Sequence, residues 1–200
     1  MKRPFLLGLT GSIGIGKSTT AAMFTEEGVP VWDADDAVDR LYARDGAGAR
    51  ALAALQPGAV VGGAVDRGQL KSWIAEDPGA LPAIEAAIHP LVAADRAAFI
   101  EKAARAGAKV IVLDVPLLFE TGADKIMDAT LVVTAPERVQ RARVLARPGM
   151  TEAQLATILA RQMPDAEKRA RATHVIETLN LDDTRAAVRD LLAKIGATHA

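Results

Sequence analysis

Eight residues near the N-terminus, Gly11-Ser12-Ile13-Gly14-Ile15-Gly16-Lys17-Ser18, restrict what this chain can become more than any other part of it. They fit the pattern G-x-x-x-x-G-K-[ST] at every fixed position. The apolar run Phe5-Leu6-Leu7-Gly8-Leu9-Thr10 before them reads as a buried strand. Lys17 to Glu27 after them reads as a helix stopped by Gly28. A strand that enters a helix through such a turn points several backbone N–H groups into one concavity. The positive end of the helix lies at the same place, so the concavity suits an anion. The reading is a phosphate cradle made by Gly11, Ser12, Ile13, Gly14, Ile15, Gly16, Lys17, Ser18 and Thr19. Lys17 is then placed to reach the β- and γ-phosphates of a nucleoside triphosphate, and the Ser18 hydroxyl to ligate Mg²⁺.

The rest of the chain alternates in the same manner. Short apolar runs at Val29–Trp32, Lys109–Leu113, Ala129–Val133 and His174–Ile176 read as further strands. Between them, helices are expected over Ala34–Leu55 (broken around Gly46 and Gly48), Gln69–Glu76, Pro78–Ile88 and Pro90–Ala106. Others are expected from Pro136 to about Arg147, over Thr151–Arg171 and over Asp182–Ile195, with a glycine-rich turn region at Gln56–Gly68. Strands separated by helices need crossover connections, so the fold class is α/β, with a parallel sheet in three layers. A core of about residues 1–55, 107–137 and 172–200 is expected, with a helical lobe near 56–106 and a helical lid near 138–171.

In an open parallel sheet, ligands sit beyond the carboxyl ends of the strands. The second strand delivers Asp33 there and the third delivers Asp114. Asp33 suits a base that orients an acceptor hydroxyl and takes its proton. It equally suits an ordinary helix N-cap, a role open to Asp35 as well. Asp114 either assists Mg²⁺ or bonds the N–H groups of the following turn, and Glu120 either assists Mg²⁺ or is an exposed acid at a helix start. Arg138, Arg141, Arg143 and Arg147 put four positive charges on one short helix. They form either a solvated face or a lid that closes over phosphates, with Gly149 as its joint. Lys168, Arg169 and Arg171 are expected at the surface. His89-Pro90 reads as a joint between two helices, and Trp32 and Trp73 as core residues.

Composition removes several classes of function. The chain has 200 residues with 24 basic against 25 acidic side chains, so no basic surplus suggests nucleic acid as a partner. There is no cysteine, which excludes disulfides and thiolate chemistry. Three histidines, His89, His174 and His199, lack the spacing of metal ligands. Met1-Lys2-Arg3 before the first apolar run imitates a signal peptide but lacks a cleavage pattern, and no run suffices to cross a bilayer. The expectation is a cytoplasmic monomer or weak homo-oligomer without a membrane partner. The substrate signatures Asp-Gly-x-Pro-Arg and Gly-Gly-Gly of other small kinases are missing, as is the Asn-Lys-x-Asp guanine reader of GTPases. A nucleotide-binding regulator without turnover stays open.

Beyond the loop, Asp33-Ala34-Asp35, Asp66-Arg67, Ile88-His89-Pro90 and Pro116-Leu117-Leu118-Phe119-Glu120 follow in order. Gln140, Arg143, Arg147, Arg161-Gln162-Met163 and Glu167-Lys168-Arg169 continue the series. Over nearly its whole length the chain resembles the dephospho-CoA kinase family. The resemblance implies a P-loop kinase core with a helical lobe for CoA and a lid. It implies transfer of the ATP γ-phosphoryl group to the ribose 3′-hydroxyl of dephospho-CoA, with ATP and Mg²⁺ as cofactors. Asp33 matches the family's base, and Arg143 and Arg147 match its lid arginines. Asp33, His89 and Asp114 become the candidate substrate contacts. The chain departs from the family pattern at Thr173, where aspartate is usual, and at Glu177-Thr178, where an Asn-Gly turn is usual. It also lacks a Phe-Gly pair near Gln56-Pro57-Gly58 and carries Pro148 where aspartate is common.

Overall fold

Strand β1 (Phe5–Thr10) is buried from its second residue onward, because its apolar run has no polar side to offer water. The structure is a computed structural model that describes residues 3–199, so Met1 and Lys2 lie outside the described residues. β1 pairs in parallel with β5 (Val110–Asp114), Leu6 opposite Ile111 and Leu9 opposite Asp114. On its other side it pairs in parallel with β6 (Ala129–Thr134), which in turn pairs with β7 (His174–Glu177). With β2 (Val31–Asp33) at one edge, the five-stranded order is β2-β5-β1-β6-β7. Helices connect these parallel strands, which gives the three-layer α/β fold expected from the alternating pattern.

The chain forms two compact units, one running up to Trp32 and again from Ala103, the other spanning Asp33–Lys102. In the first, the sheet buries Leu7, Leu9, Leu131 and Val133 against Met23 and Phe24 of α1 (Lys17–Glu26). Val188, Leu191 and Ile195 of the C-terminal helix (Leu181–His199) complete that core, and Trp32 is buried in this unit as well. The second unit holds α2 (Ala34–Tyr42), α3 (Ala47–Leu55), a small hairpin β3–β4 (Val60–Val61 and Ala64–Val65), α4 (Arg67–Glu76) and all but the last turn of α5 (Ala80–Arg105). Its core is Leu52, Leu70, Ala80, Ile84 and Ile88, with Trp73 packed against it. The helices of residues 34–55, counted with the core in the sequence reading, pack in this second unit, because α3 contributes Leu52.

Three local expectations are corrected. The helices expected over 78–88 and 90–106 are one helix, α5, with Pro90 in its interior, so His89 is an exposed helical residue and not part of a joint. A proline there removes a hydrogen bond and costs about 3 kcal/mol. Burial of Ile84 and Ile88 is worth about 1.5–3 kcal/mol each and outweighs it. The glycine-rich turn region contains the β3–β4 hairpin, joined by Gly62 and Gly63 at φ 59° and 85°. Positive φ at both turn positions matches the twist of a tight hairpin, which glycine alone adopts without strain. Finally, the helix expected over 151–171 divides into α7 (Glu152–Leu159) and α8 (Asp165–Arg171). Pro164 disfavours helical geometry at the residue before it and ends the run.

Candidate active site

The loop between β1 and α1 leaves its last glycine, Gly16, at φ 93°, a left-handed conformation that turns the backbone into the helix. No side chain caps α1, so its first N–H groups remain available to an anion. Thr20 is buried and its hydroxyl donates back to the Gly16 carbonyl at 3.1 Å, which secures the junction. Ser18 and Thr19 are exposed on the first turn. On the other side of the loop, the Thr10 hydroxyl donates to the Pro116 carbonyl at 3.0 Å and ties β1 to the segment after β5.

Lys17 forms an ion pair with Asp114, which ends β5 and is completely buried. The register explains the meeting, since Asp114 lies opposite Leu9 just before the loop. A buried carboxylate requires a charged or donor partner, and Lys17 is one for Asp114. An ammonium carries three N–H donors, so a bond to Asp114 leaves two for phosphate oxygens.

Two glutamines hold the loop from outside. Gln140 of α6 (Glu137–Leu145) donates to the Ile13 carbonyl at 2.8 Å, and Gln162 accepts from the Ile13 N–H at 3.2 Å. The four arginines of this region separate. Arg141 pairs with Glu152 at 2.6 Å in an exposed position, and Arg138 is exposed. Arg143 and Arg147 line a cavity of about 330 Å³ together with Gly14, Gly16, Leu179 and Asn180. Arg143 donates to the Thr178 carbonyl at 2.6 Å and contacts the Thr178 hydroxyl at 3.4 Å.

Glu120 is committed elsewhere than to a metal. It accepts from the Met163 N–H at 2.7 Å and lies 3.0 Å from the Lys168 ammonium. Burial alone raises the pKa of the Glu120 carboxyl, but the Met163 N–H and Lys168 outweigh it and hold the group below the usual Glu value. Lys168 corrects an expectation, because it is completely buried where a surface position was expected. Beside it, Arg171 pairs with Asp124 at 3.3 Å and stacks 4.7 Å above the Phe119 ring.

Asp33 closes β2 and caps α2, its Oδ1 accepting from the N–H groups of Asp35 and Asp36 at 2.7 and 3.0 Å. The N-cap is therefore Asp33 and not Asp35, and the cap leaves Oδ2 uncommitted. His89 lies on α5 in the second unit, exposed. In the first unit, the structure brings together the loop, Lys17, Asp114, Arg143 and Arg147. Sequence reasoning gave no role to Gln140, Gln162, Thr178 or the Glu120–Lys168 pair. The only signal of the first two was their place in the ordered residues of the resemblance.

Among the described residues no group of three His, Cys, Asp or Glu is arranged to hold a metal, and no helix is long and apolar enough to cross a membrane. The nearby oxygens, the exposed Ser18 hydroxyl and the Asp114 carboxylate, are hard donors. They fit Mg²⁺ that arrives with a nucleotide and keeps phosphate and water ligands.

The family model CoaE, dephospho-CoA kinase, matches residues 5–183. This chain belongs to the dephospho-CoA kinase family. The dephospho-CoA kinase of Cereibacter sphaeroides is 65% identical over 196 residues, covering 98% of each chain. That of Jannaschia sp. is 59% identical over 191 residues, covering 96% of this chain and 97% of its own. The solved structure of TT1252 from Thermus thermophilus superposes with a TM-score of 0.83 at 38% identity, over 96% of this chain and 98% of that one. Membership makes the chain an ATP-dependent kinase, and the phosphate loop is where its nucleotide is expected.

Proposed function

We infer that the chain transfers the γ-phosphoryl group of ATP to the ribose 3′-hydroxyl of dephospho-CoA, giving CoA and ADP, the last step of CoA synthesis. The observation that carries this reading is the match to the family over residues 5–183, which spans both compact units with the phosphate loop intact. The core supplies nucleotide binding, the second unit is the substrate-binding lobe with His89 among its contacts, and residues of about 138–171 form the lid.

Phosphoryl transfer asks a protein chiefly for positioning and for positive charge where negative charge develops. The N–H groups of Gly11–Thr19 cradle the phosphates. Lys17, held on one side by Asp114, directs its remaining donors at the β- and γ-oxygens. Arg143 and Arg147 add charge from the cavity wall beside Gly16. Asp33 orients the 3′-hydroxyl and takes its proton through Oδ2, while Oδ1 stays on the helix cap. Mg²⁺, where bound, would be held by Ser18 and the nucleotide's own oxygens, and supplies charge neutralisation between the β- and γ-phosphates. The chain works as a cytoplasmic monomer or weak homo-oligomer, with no nucleic-acid partner.

The direct test is CoA formation from purified protein with MgATP and dephospho-CoA. Asp33→Asn is expected to keep ATP binding and lose at least about a hundredfold in kcat, the usual contribution of a general base. Full turnover by Asp33→Asn would remove the base from this reading. Absence of CoA product from the wild-type chain would remove the reaction itself.

A further inference from the structure

We propose that Thr178 is a positioning residue for phosphoryl transfer, holding the Arg143 guanidinium against the phosphate loop. The proposal rests on the reading of Arg143 as an arginine that faces the phosphates. Thr178 continues β7 into the following turn, its N–H donating to the Thr134 carbonyl at 2.9 Å. From there one residue reaches three elements. Its carbonyl accepts from Arg143 Nη2 at 2.6 Å, and its hydroxyl oxygen lies 3.4 Å from Arg143 Nη1. The same hydroxyl contacts the Ile15 carbonyl inside the loop and the Thr134 carbonyl at 3.1 Å. A hydroxyl has one proton, so it donates to Ile15 or to Thr134 while its lone pairs face the arginine.

The location makes this more than a packing contact. A methyl group built on Gly16 would meet the Thr178 hydroxyl at 3.4 Å and Arg143 Nη1 at 3.8 Å, so both groups sit directly over the loop's last glycine. Thr178 is only 6% exposed, and a β-branched side chain has few rotamers, so its oxygen is a fixed point. Arg143 gives one of its five N–H donors to the Thr178 carbonyl and turns a second toward the hydroxyl, which keeps the others for phosphate oxygens. An arginine already oriented at the moment of transfer stabilises developing charge without reorganising. The family resemblance leads to an asparagine-glycine turn here, so this chain reaches the arginine with a different residue type.

Steady-state kinetics with MgATP and dephospho-CoA test the assignment. Thr178→Val keeps the shape and loses the hydroxyl. It is expected to lower kcat about tenfold, the scale of one lost hydrogen bond to a charged group, with KM for ATP within about twofold. Thr178→Ser is expected to restore kcat to within about twofold of wild type, a rescue set by the hydroxyl alone. In an Arg143→Ala background, Thr178→Val should cost nothing further, because the two residues act as one unit. A wild-type kcat for Thr178→Val, or a loss that persists without Arg143, overturns the proposal while leaving the arginine's role standing. A wild-type kcat for Arg143→Ala overturns the reading of the arginine and the proposal together. Should Thr178→Val fail to fold, Thr178→Ala carries the same expectation; unfolding of both would show a structural role only and overturn it.

Discussion

Glu120 and Lys168 show how much a single pair of residues can decide. The lysine is completely buried, and the carboxylate 3.0 Å away is what makes that burial tolerable. Removing the carboxylate leaves a buried ammonium without compensation, which costs about 3–5 kcal/mol where both partners are buried and less where, as for Glu120, one of them reaches solvent. Glu120→Gln, which keeps an acceptor for the Met163 N–H, is expected to lose about 1–3 kcal/mol of stability at neutral pH. The sign of its pH dependence follows from the lowered pKa of Glu120 in the folded chain. The pair contributes its stability above the unfolded carboxyl's pKa and loses it as pH falls through the lower, folded value. The gap between wild type and Glu120→Gln should therefore close in acid, below the usual Glu range. Urea denaturation at neutral and acid pH measures it, and an equal gap at both would show that charge is not its source.

Among the elements, those with purely local causes were legible from the residues. β1, the loop and α1 follow from an apolar run, glycines and a helix start within a short stretch, and the structure has them where the sequence indicates. The hairpin was legible in principle, since Val60-Val61-Gly62-Gly63-Ala64-Val65 is two short apolar pairs around a Gly-Gly turn, but its strands are only two residues each. The α5 helix was hidden because its continuity through Pro90 depends on the unit core that Ile84 and Ile88 enter. The surface expected for Lys168 failed for a similar reason, its partner being Glu120 at the far side of β6 in sequence. Asp33 was legible as a cap or a base, and geometry puts one oxygen on the cap. Because Pro90 is exposed and lacks the N–H that its place inside α5 would use, Pro90→Ala should restore one backbone hydrogen bond. We predict a gain of about 1–3 kcal/mol, read as a higher thermal midpoint. A lower midpoint would mean the ring itself is a needed contact.

At the scale of the whole molecule, each compact unit has an apolar core of its own, one around the sheet and one around Leu52, Ile84 and Ile88. The phosphate loop and its arginines belong to the first. Leu52 is fully buried in the second, so Leu52→Ala is expected to cost about 2–5 kcal/mol there. Binding of ADP alone should persist in that variant, since no loop residue lies in the damaged unit. Calorimetric titration with ADP beside thermal unfolding checks both halves of the statement. Loss of ADP affinity in step with stability would show that the two cores unfold as one.

The backbone of one residue in the loop has a consequence for observing the enzyme at work. The Ile13 N–H is held by Gln162, in the linker between α7 and α8, while its carbonyl is held by Gln140 on α6. Both latches are side chains from the region proposed to swing. The amide proton of Ile13 can then trade with solvent deuterium only when that linker lets go, so its exchange rate is a clock for the opening of the segment. Nucleotide should slow the clock, Gln162→Ala should make it run freely, and an Ile13 rate indifferent to both would mean that it keeps some other time.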